Sequence, residues 1–522
     1  MSRKAALACT AAGCALFALI SFSRLADFPG LHGDEAWVGI YAKRLLAHGL
    51  VSPHEMNAYT GPLYGWLLAR VFSWMRADVF ALRLPGTLFN AAAVALMARH
   101  LWKSFGPSAA LAWTGLLLAS PLFLLKGRVA WEVYALQPLL LALLFPLLWR
   151  MLEDGRTSFL RAAGFLALCQ IGVLNHFIFI SVPLSLGVAA LMGVALLEEK
   201  RFAGLLSASA WAILQSAIVY LSKPRVSEAF WQEHRATLLA AAVFLPFILA
   251  GIQQACGPMA EALIERARAS ATLRAKAFFR AAVFLSAAVC AAFHAPAMVA
   301  IGSGVAVLRR LSSWDPPLLL SVILYAWAAA LLCVLFTASV RAACPSKADA
   351  DPAVQGGGVY ARFLLLWPLA YAAVFMLLRM TSSIRYYILF SFIVLAASAV
   401  LLPRALHRRR WAALALCGGF LVCGFSVREL FLGAERRPVR LRVGWRAENS
   451  WDFLPKQALL PEWRRSKACS AEPTSFIGLP LAFLRNSETR TEDCDSSIEF
   501  SARYCEECVR APYFTWEVRP HG

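Results

Sequence analysis

Long apolar runs separated by short polar segments dominate the chain. A helix needs about 20 apolar residues to cross a bilayer, because within lipid only a helix pairs its own backbone amides. The pattern therefore predicts an all-α polytopic membrane protein with about 13 transmembrane helices. The predicted spans are 5–23, 81–98, 108–125, 133–149, 162–180, 182–197, 206–221, 238–253, 281–301, 317–340, 363–379, 386–402 and 411–427.

Composition supports this prediction. The 522 residues are 60% hydrophobic and 16% charged, whereas about a quarter of a typical soluble chain is charged. The net charge of +20 would raise the question of nucleic acid in a soluble protein. Here the excess lies almost wholly in residues 1–427, in short loops between apolar runs, which is typical of membrane topology and excludes a nucleic-acid partner.

The distribution of Lys and Arg also predicts an orientation. The first run follows Ser2-Arg3-Lys4, which could open a cleaved signal peptide, but no cleavage site is evident and we expect a retained helix. With the N-terminus inside, most Lys and Arg fall on inner segments. The first loop, 24–80, and the tail, 428–522, are then outside. Short loops favour a bacterial inner membrane with the active site and C-terminus in the periplasm.

The chain thus divides into a transmembrane domain, 1–427, and a small extracytoplasmic α+β or mostly β domain, 428–522. The tail contains four cysteines, an even number that suggests two disulfides in an oxidising compartment. A four-thiolate zinc site is the alternative, although only one close pair is present. The four are Cys469, Cys494, Cys505 and Cys508.

Carboxylates are absent from the middle of the predicted spans and lie instead in the outer loops. Pumps and transporters usually place ionisable groups inside the membrane, so a reaction at the outer face is favoured over ion-coupled transport. Asp34 and Glu35 open an amphipathic helix in the first loop. The simplest hypothesis for Asp34 is a helix N-cap; a catalytic carboxylate is the alternative.

Several short motifs occur in order along the outer side. Asp34-Glu35 is followed by Pro62-Leu63-Tyr64 and by Arg83-Leu84-Pro85 at the second span; Arg128 and Glu132 lie in the second outer loop, and Ile384-Arg385-Tyr386-Tyr387 in a late one. In this the chain resembles the GT-C superfamily of glycosyltransferases, specifically glycosyltransferase family 39, with the protein O-mannosyltransferases and lipid A aminoarabinose transferases. The prolines that follow the late Arg-Tyr in that family are absent here.

The resemblance implies transfer of a sugar from a polyprenyl-phosphate donor to an acceptor hydroxyl of a lipid, glycan or protein, with inversion at the anomeric carbon. It implies Asp34 as general base, with Glu35 as second choice or as the group that orients it. Arginine pairs well with phosphate oxygens, so the donor phosphate would contact Arg385, Arg128, Lys126 and Tyr386, although snorkelling to lipid headgroups also explains these residues. Substrate contacts are expected from Glu132, Tyr64 and Arg83.

Other hypotheses remain open at this level. No cofactor is expected, because the histidines of the first loop match no metal-ligand spacing. The alternative is a divalent metal held by Asp34 and Glu132. Asn175-His176 is interpreted as a satisfied buried pair. A lipid-linked sugar flippase or a surface-polysaccharide polymerase or ligase would share the polytopic pattern, but neither the repeated halves of a transporter nor a long late loop is evident.

Overall fold

We describe a computed structural model of the chain. The structure describes most of the first 222 residues and separate parts of the remainder. The described residues are 2–26, 31–49, 60–118, 120, 123–124, 127–153, 158–196, 201–222, 240, 243–256, 258–259, 262–263, 266, 358–378, 387–408, 468–470, 483–484, 496–501 and 515–520.

Helices account for nearly all of the described part. In chain order they are α1 (Arg3–Phe22), α2 (Gly33–His48), α3 (Leu63–Trp74), α4 (Val79–Phe105), α5 (Pro107–Leu118), α6 (Glu132–Ala135), α7 (Gln137–Glu153), α8 (Phe159–Asn175), a 3-10 turn (Phe177–Ile180), α9 (Ser181–Leu196), α10 (Arg201–Ser222), α11 (Val243–Cys256), α12 (Gly358–Leu377) and α13 (Tyr387–Arg408).

Five helical segments in the described residues are long and apolar enough to cross a membrane: Arg3–Phe22, Val79–Phe105, Glu132–Glu153, Phe177–Val194 and Arg201–Val219. Shorter apolar helices coincide with five further predicted spans. The prediction that the chain crosses the membrane several times is confirmed. The spans at 281–301, 317–340 and 411–427 lie outside the described residues, so the count of thirteen stays a prediction.

The helices bury one continuous aromatic and aliphatic core and turn other apolar side chains outward. Trp113 and Trp367 are fully buried, and Phe392 contacts both Trp113 and Phe145. On the outside of α1, Leu19 is 69% exposed. Such a broad apolar exterior is costly in water and favourable in lipid, which agrees with a membrane-embedded bundle.

A second, smaller core joins α2 and α3 to the start of α4. Residues of α2 and α3 pack on the start of α4, with Tyr41, Leu68 and Leu82 buried between them. Phe483, from the tail, is part of this core: its carbonyl accepts a hydrogen bond from Lys43 Nζ at 3.1 Å, and the same ammonium lies 4.4 Å from the ring centroid. The tail therefore contacts the helix that begins with the Asp-Glu pair.

The described part of the tail contains a three-stranded sheet of order β1 (Ala468–Ser470), β2 (Ser496–Ser501), β3 (Thr515–Pro520). Strand β1 is parallel to β2, whereas β3 is antiparallel to it. Cys469 lies in β1, but its side chain and the residues Cys494, Cys505 and Cys508 are outside the described part. The two disulfides and the domain boundary at 428 stay predictions.

Candidate active site

The N-terminus of α2 is capped by His32 and not by Asp34. Nδ1 of His32 accepts a hydrogen bond from the amide of Asp34 at 3.0 Å, and Glu35 Oε2 accepts one from the amide of His32 at 3.2 Å. The N-cap hypothesis for Asp34 is therefore wrong: it is the second residue of the helix. The same Nδ1 atom lies 3.8 Å from Asp34 Oδ2, which is too long for a hydrogen bond between the two side chains.

Glu35 forms a buried ion pair with Arg83. The two side chains are 0% exposed, with Arg83 Nε 2.7 Å from Glu35 Oε1 and Nη2 2.9 Å from Oε2. The amide of Ala130 also donates to Oε1 at 2.9 Å. Burial alone would raise the pKa of Glu35, but Arg83 and the amides of Ala130 and His32 lower it below its ordinary value. Glu35 is thus an ionised carboxylate fully engaged by fixed donors.

Two arginines hold the chain where it leaves α1. Arg83 Nη1 donates to the carbonyl of Leu25 at 3.0 Å, and Arg128 Nη2 donates to the carbonyl of Ser23. The last carbonyls of a helix have no partner within it, and arginine satisfies them well. Burial, with the charges of Arg83 and Arg24 added, lowers the pKa of Arg128 to about 9. Arg128 therefore remains a cation at neutral pH, with Arg24 and Arg83 close enough to repel it.

Asp34 lies at the edge of this arrangement. Its side chain is 21% exposed, so it is neither sealed in the core nor directed wholly into bulk water. Asp34 is also close enough to Glu132 for the two carboxyl groups to interact electrostatically. The structure thus combines a partly exposed carboxylate with a fixed second acidic group.

Glu132 begins α6 and is almost fully buried. Its Oε1 accepts a hydrogen bond from Thr60 Oγ1 at 2.9 Å, and its carbonyl accepts one from Asn175 Nδ2 at 2.9 Å. His176 is satisfied, with Nδ1 accepting from the amide of Ile178, whereas Asn175 Oδ1 has no partner among the described residues. The prediction that both side chains are fully hydrogen-bonded is therefore right for His176 Nδ1 and for the NH2 of Asn175, but wrong for Asn175 Oδ1.

The segment before α3 is held against the end of α8. Thr60 and His176 form an isolated β-bridge, and the amide of Gly61 donates to the carbonyl of Asn175 at 3.0 Å. A Cβ on Gly61 would lie 1.5 Å from the carbonyl oxygen of Leu174. Only glycine allows this approach, which places Thr60 on Glu132.

Replacement of Gly61 by alanine should therefore separate the 60–62 segment from α8. We expect Gly61→Ala to lower stability by about 1–3 kcal/mol, the usual cost of forcing an extra methyl into a packed contact, and to displace Thr60 from Glu132. Thermal unfolding of the purified protein in detergent measures the first effect. Gly115→Ala, where a Cβ meets nothing within 4 Å, is the control; equal melting temperatures for the two variants would contradict the contact.

Tyr64 is buried beside the first turns of α4. A Cβ on Gly86 would lie 3.0 Å from its hydroxyl oxygen, and burial followed by the negative charge of Glu35 raises the pKa of Tyr64 above its ordinary value. The phenol is therefore protonated and can only donate or accept a hydrogen bond. The structure places Tyr64, Arg83 and Glu132 in the same region as Asp34. Their contacts with substrate stay predictions.

The remaining predicted site residues are not in the described part of the chain. Lys126, Arg385 and Tyr386 fall outside it, so their contact with phosphate stays a prediction. No group of three or more His, Cys, Asp or Glu side chains suited to a metal occurs among the described residues. A metal held by Asp34 and Glu132 would have only these two carboxylates as ligands among the described residues. That the protein uses no cofactor stays a prediction.

Sequence reasoning missed several residues that build this region. Thr60, Gln137 and Arg24 carry no recognisable motif; each is identified only by what the fold places beside it. Arg24 has φ 53° directly after the C-cap of α1, a left-handed position that glycine usually occupies. Charge was the signal from which the ion pair could have been predicted. Glu35 and Arg83 have opposite charges, and each lies near the start of a helix on the same predicted side of the membrane.

Fold and site together define a multi-pass membrane protein with a group of carboxylate and arginine side chains at one end of its helices. No protein-family model and no curated protein matches the chain. Among solved structures it is similar to the Archaeoglobus fulgidus oligosaccharyltransferase in the apo form, with 15% identity and a TM-score of 0.48, covering 87% of this chain and 58% of that one.

Two further structures illustrate the range of similarity. AglB from Archaeoglobus fulgidus, in complex with an inhibitory peptide and a dolichol-phosphate, has 14% identity, a TM-score of 0.46 and coverage of 87% and 58%. ArnT from Cupriavidus metallidurans, bound to undecaprenyl phosphate, has 15% identity, a TM-score of 0.33 and coverage of 76% and 80%. The chain spans 58% of the length of the oligosaccharyltransferase chains.

Proposed function

We propose that the protein is an integral-membrane glycosyltransferase that moves a sugar from a polyprenyl-phosphate donor to an acceptor hydroxyl at the outer face of a bacterial inner membrane. The observation that carries the proposal is the position of Asp34. It is a partly exposed carboxylate in the first turn of α2, and the buried Glu35–Arg83 pair fixes that turn. A general base needs this combination of access and fixed direction.

The proposed reaction assigns one role to each side of the site. The acceptor oxygen attacks the anomeric carbon and forms the new glycosidic bond, while its proton passes to an Asp34 carboxylate oxygen. The bond from the anomeric carbon to the phosphate oxygen breaks, and its electron pair leaves with the lipid phosphate. Attack from the face opposite the phosphate would invert the anomeric configuration.

The departing phosphate needs cations close by, because negative charge accumulates on its oxygens in the transition state. Arg128 is a buried cation, and Arg24 and Arg83 are near enough to repel it. An anion beside Arg128 would relieve this repulsion. Arg385, Lys126 and Tyr386 are proposed to complete the phosphate side. Glu35 is proposed to orient Asp34, since its own oxygens are occupied by donors.

The principal rival is a flippase for the same lipid-linked sugar. The described spans contain no Asp or Glu at mid-depth, whereas a transport pathway usually needs polar groups there. Purified protein in vesicles, supplied with undecaprenyl-phosphate sugars labelled in the sugar, distinguishes the two. We expect the label to appear in lipid, glycan or protein acceptors from a bacterial membrane extract. Movement of the intact donor across the bilayer without transfer would favour the flippase.

A further inference from the structure

One narrow side of α2 remains accessible next to Asp34. From Gly33 to Leu45 the helix is buried except at three partly exposed positions, Asp34, Trp37 and Arg44. At 3.6 residues per turn these three lie within a sector of about 80° around the helix axis. We call them the α2 stripe. Aspartate and arginine are costly in hydrocarbon, so a stripe that carries both faces a polar space.

The indole of Trp37, in the middle of the α2 stripe, is held in place by its neighbours. It stacks on the ring of Tyr41, one turn further along, with the ring centroids 5.2 Å apart and an angle of 13° between the planes. Tyr41 is itself buried against α3, where a Cβ on Gly65 would lie 2.5 Å from its ring. Because Tyr41 occupies one face of the indole, a ligand reaches Trp37 from the other.

Trp74 provides a contrast within the same region. It ends α3, is 85% exposed and is followed by the exposed side chains of Met75 and Phe80. Tryptophan in such apolar surroundings is typical of the membrane–water interface. Trp37 differs, because it is partly buried, stacked on a second ring and placed between charged residues. A membrane anchor therefore explains Trp74 better than it explains Trp37.

Trp37 lies beside the proposed base and away from the arginines. Residues three apart on a helix are neighbours, with Cβ atoms about 5–6 Å apart, so Trp37 is adjacent to Asp34. Arg83 and the amide of Ala130 instead contact Glu35, which lies about 160° from Trp37 around the helix axis. Asp34 stands between the two directions. If the donor phosphate is on the arginine side, Trp37 is on the side of the acceptor.

The chemistry of the α2 stripe indicates the kind of acceptor. The C–H face of a sugar ring packs on a flat aromatic ring, and the hydroxyls at the edge of the sugar are then directed toward neighbouring groups such as Asp34. An extended peptide is usually held through its backbone, but the amides within α2 are paired inside the helix. A phospholipid headgroup has no rigid ring to stack. A saccharide therefore fits this surface best.

We propose that Trp37 binds the acceptor, and that the acceptor is a saccharide whose ring stacks on the indole with one hydroxyl directed at Asp34. This inference rests on the proposed function and narrows its acceptor from a lipid, glycan or protein to a sugar ring, either free or attached to a lipid. Trp37 is thus a specificity residue, and Tyr41 is the residue that positions it.

The test measures sugar transfer to acceptors of different chemistry. The intact protein in nanodiscs receives undecaprenyl-phosphate glucose, mannose, galactose or arabinose, labelled in the sugar. Four acceptors are compared: lipid A, maltotriose, phosphatidylglycerol and a threonine-containing peptide. We expect label in lipid A if the saccharide must be lipid-linked, in maltotriose if it is free, and in neither of the other two.

Variants of Trp37 then separate stacking from simple apolar packing. Trp37→Ala and Trp37→Leu should each raise the KM for the saccharide by about tenfold, the size of a lost aromatic contact, because leucine is apolar but has no flat face. Trp37→Phe keeps a flat ring and should stay within about threefold of the wild type. The KM for the donor should change by less than about twofold in all three variants.

Trp74→Leu is the matched control, and it should leave the KM for the saccharide within about twofold. Trp37→Leu and Trp37→Phe retain much of the apolar volume, so they carry the comparison even if Trp37→Ala does not fold. Their melting temperatures in detergent show that they are folded.

Failure of the inference and failure of the proposed function give different results. If a saccharide is labelled but Trp37→Leu has the KM of the wild type, Trp37 only packs α2 and the inference is overturned. Label in phosphatidylglycerol or the peptide alone also overturns it and leaves the proposed function standing. If none of the four acceptors is labelled, the proposed function fails and the inference fails with it.

Discussion

Asp34→Asn should slow sugar transfer by about 10²- to 10⁴-fold, the usual contribution of a positioned general base. The amide has nearly the same size as the carboxylate but cannot take the proton of the attacking hydroxyl. Asp34 is not the cap of α2, which is His32, so the replacement leaves the helix start intact. Initial rates with a labelled undecaprenyl-phosphate sugar in vesicles, at saturating donor, measure the effect.

Asp78→Asn is the control for this prediction. Asp78 caps α4, with Oδ1 accepting from the amide of Ala81 at 2.9 Å, and asparagine caps a helix about as well as aspartate. This variant should keep both its fold and its rate. Donor affinity should be retained in Asp34→Asn, because the phosphate contacts lie on the arginine side. Unchanged turnover in Asp34→Asn would exclude it as the base and move that role to Glu132.

Arg83→Met should be the most destabilising single change in the outer region. It removes one partner of a bidentate pair in which neither side chain is exposed and leaves the Glu35 carboxylate buried without its counter-ion. Breaking a buried pair in this way typically costs about 3–5 kcal/mol, a large part of the stability of most proteins. Yield and melting temperature of the purified protein in detergent measure the loss.

The double variant Glu35→Gln/Arg83→Met provides the matched comparison. With the carboxylate neutralised, the cost of burying a lone charge disappears, and we expect the double variant to be more stable than Arg83→Met alone. A double variant as unstable as the single one would contradict the ion pair as the cause.

The Glu35–Arg83 pair also predicts that the stability of the folded protein depends on pH in the acid range. The pKa of Glu35 in the folded protein is below its ordinary value, which is about 4.3 in an unfolded chain. Its contribution to stability is therefore complete above that pH and is lost as the pH falls through the lower, folded pKa. Stability of the wild-type protein should decline in this acid range, and the Glu35→Gln variant should lack that component.

The membrane helices could be predicted from the sequence because lipid leaves the backbone little choice. A run such as 81–98 must be helical to pair its amides, and α4 covers it at Val79–Phe105. The boundaries shifted by a few residues, because polar ends such as Asp78 decide where a helix begins. The small outer core was not predictable in detail, since its amphipathic helices are shaped by contacts with the tail residue Phe483.

The site was predictable where charge and order along the chain were informative. Asp34 and Arg83 were both selected from motifs, but the sequence did not show that Arg83 pairs with Glu35. That outcome depends on the packing of α2 against α4, which brings residues 48 positions apart within 2.7 Å. The hydrogen bonds that Gln137 and Asn175 donate to backbone carbonyls could not be foreseen, because a neutral amide acquires a role only from what surrounds it.

The most direct test of the central claim is a cryo-EM structure of the Asp34→Asn protein with an undecaprenyl-phosphate sugar in nanodiscs. We expect the sugar to lie between residue 34 and Glu132, with the phosphate on the side of Arg128 and the anomeric carbon open to attack by a hydroxyl at about 3–3.5 Å. Density for the sugar at any other face, with residue 34 turned to bulk solvent, would contradict it.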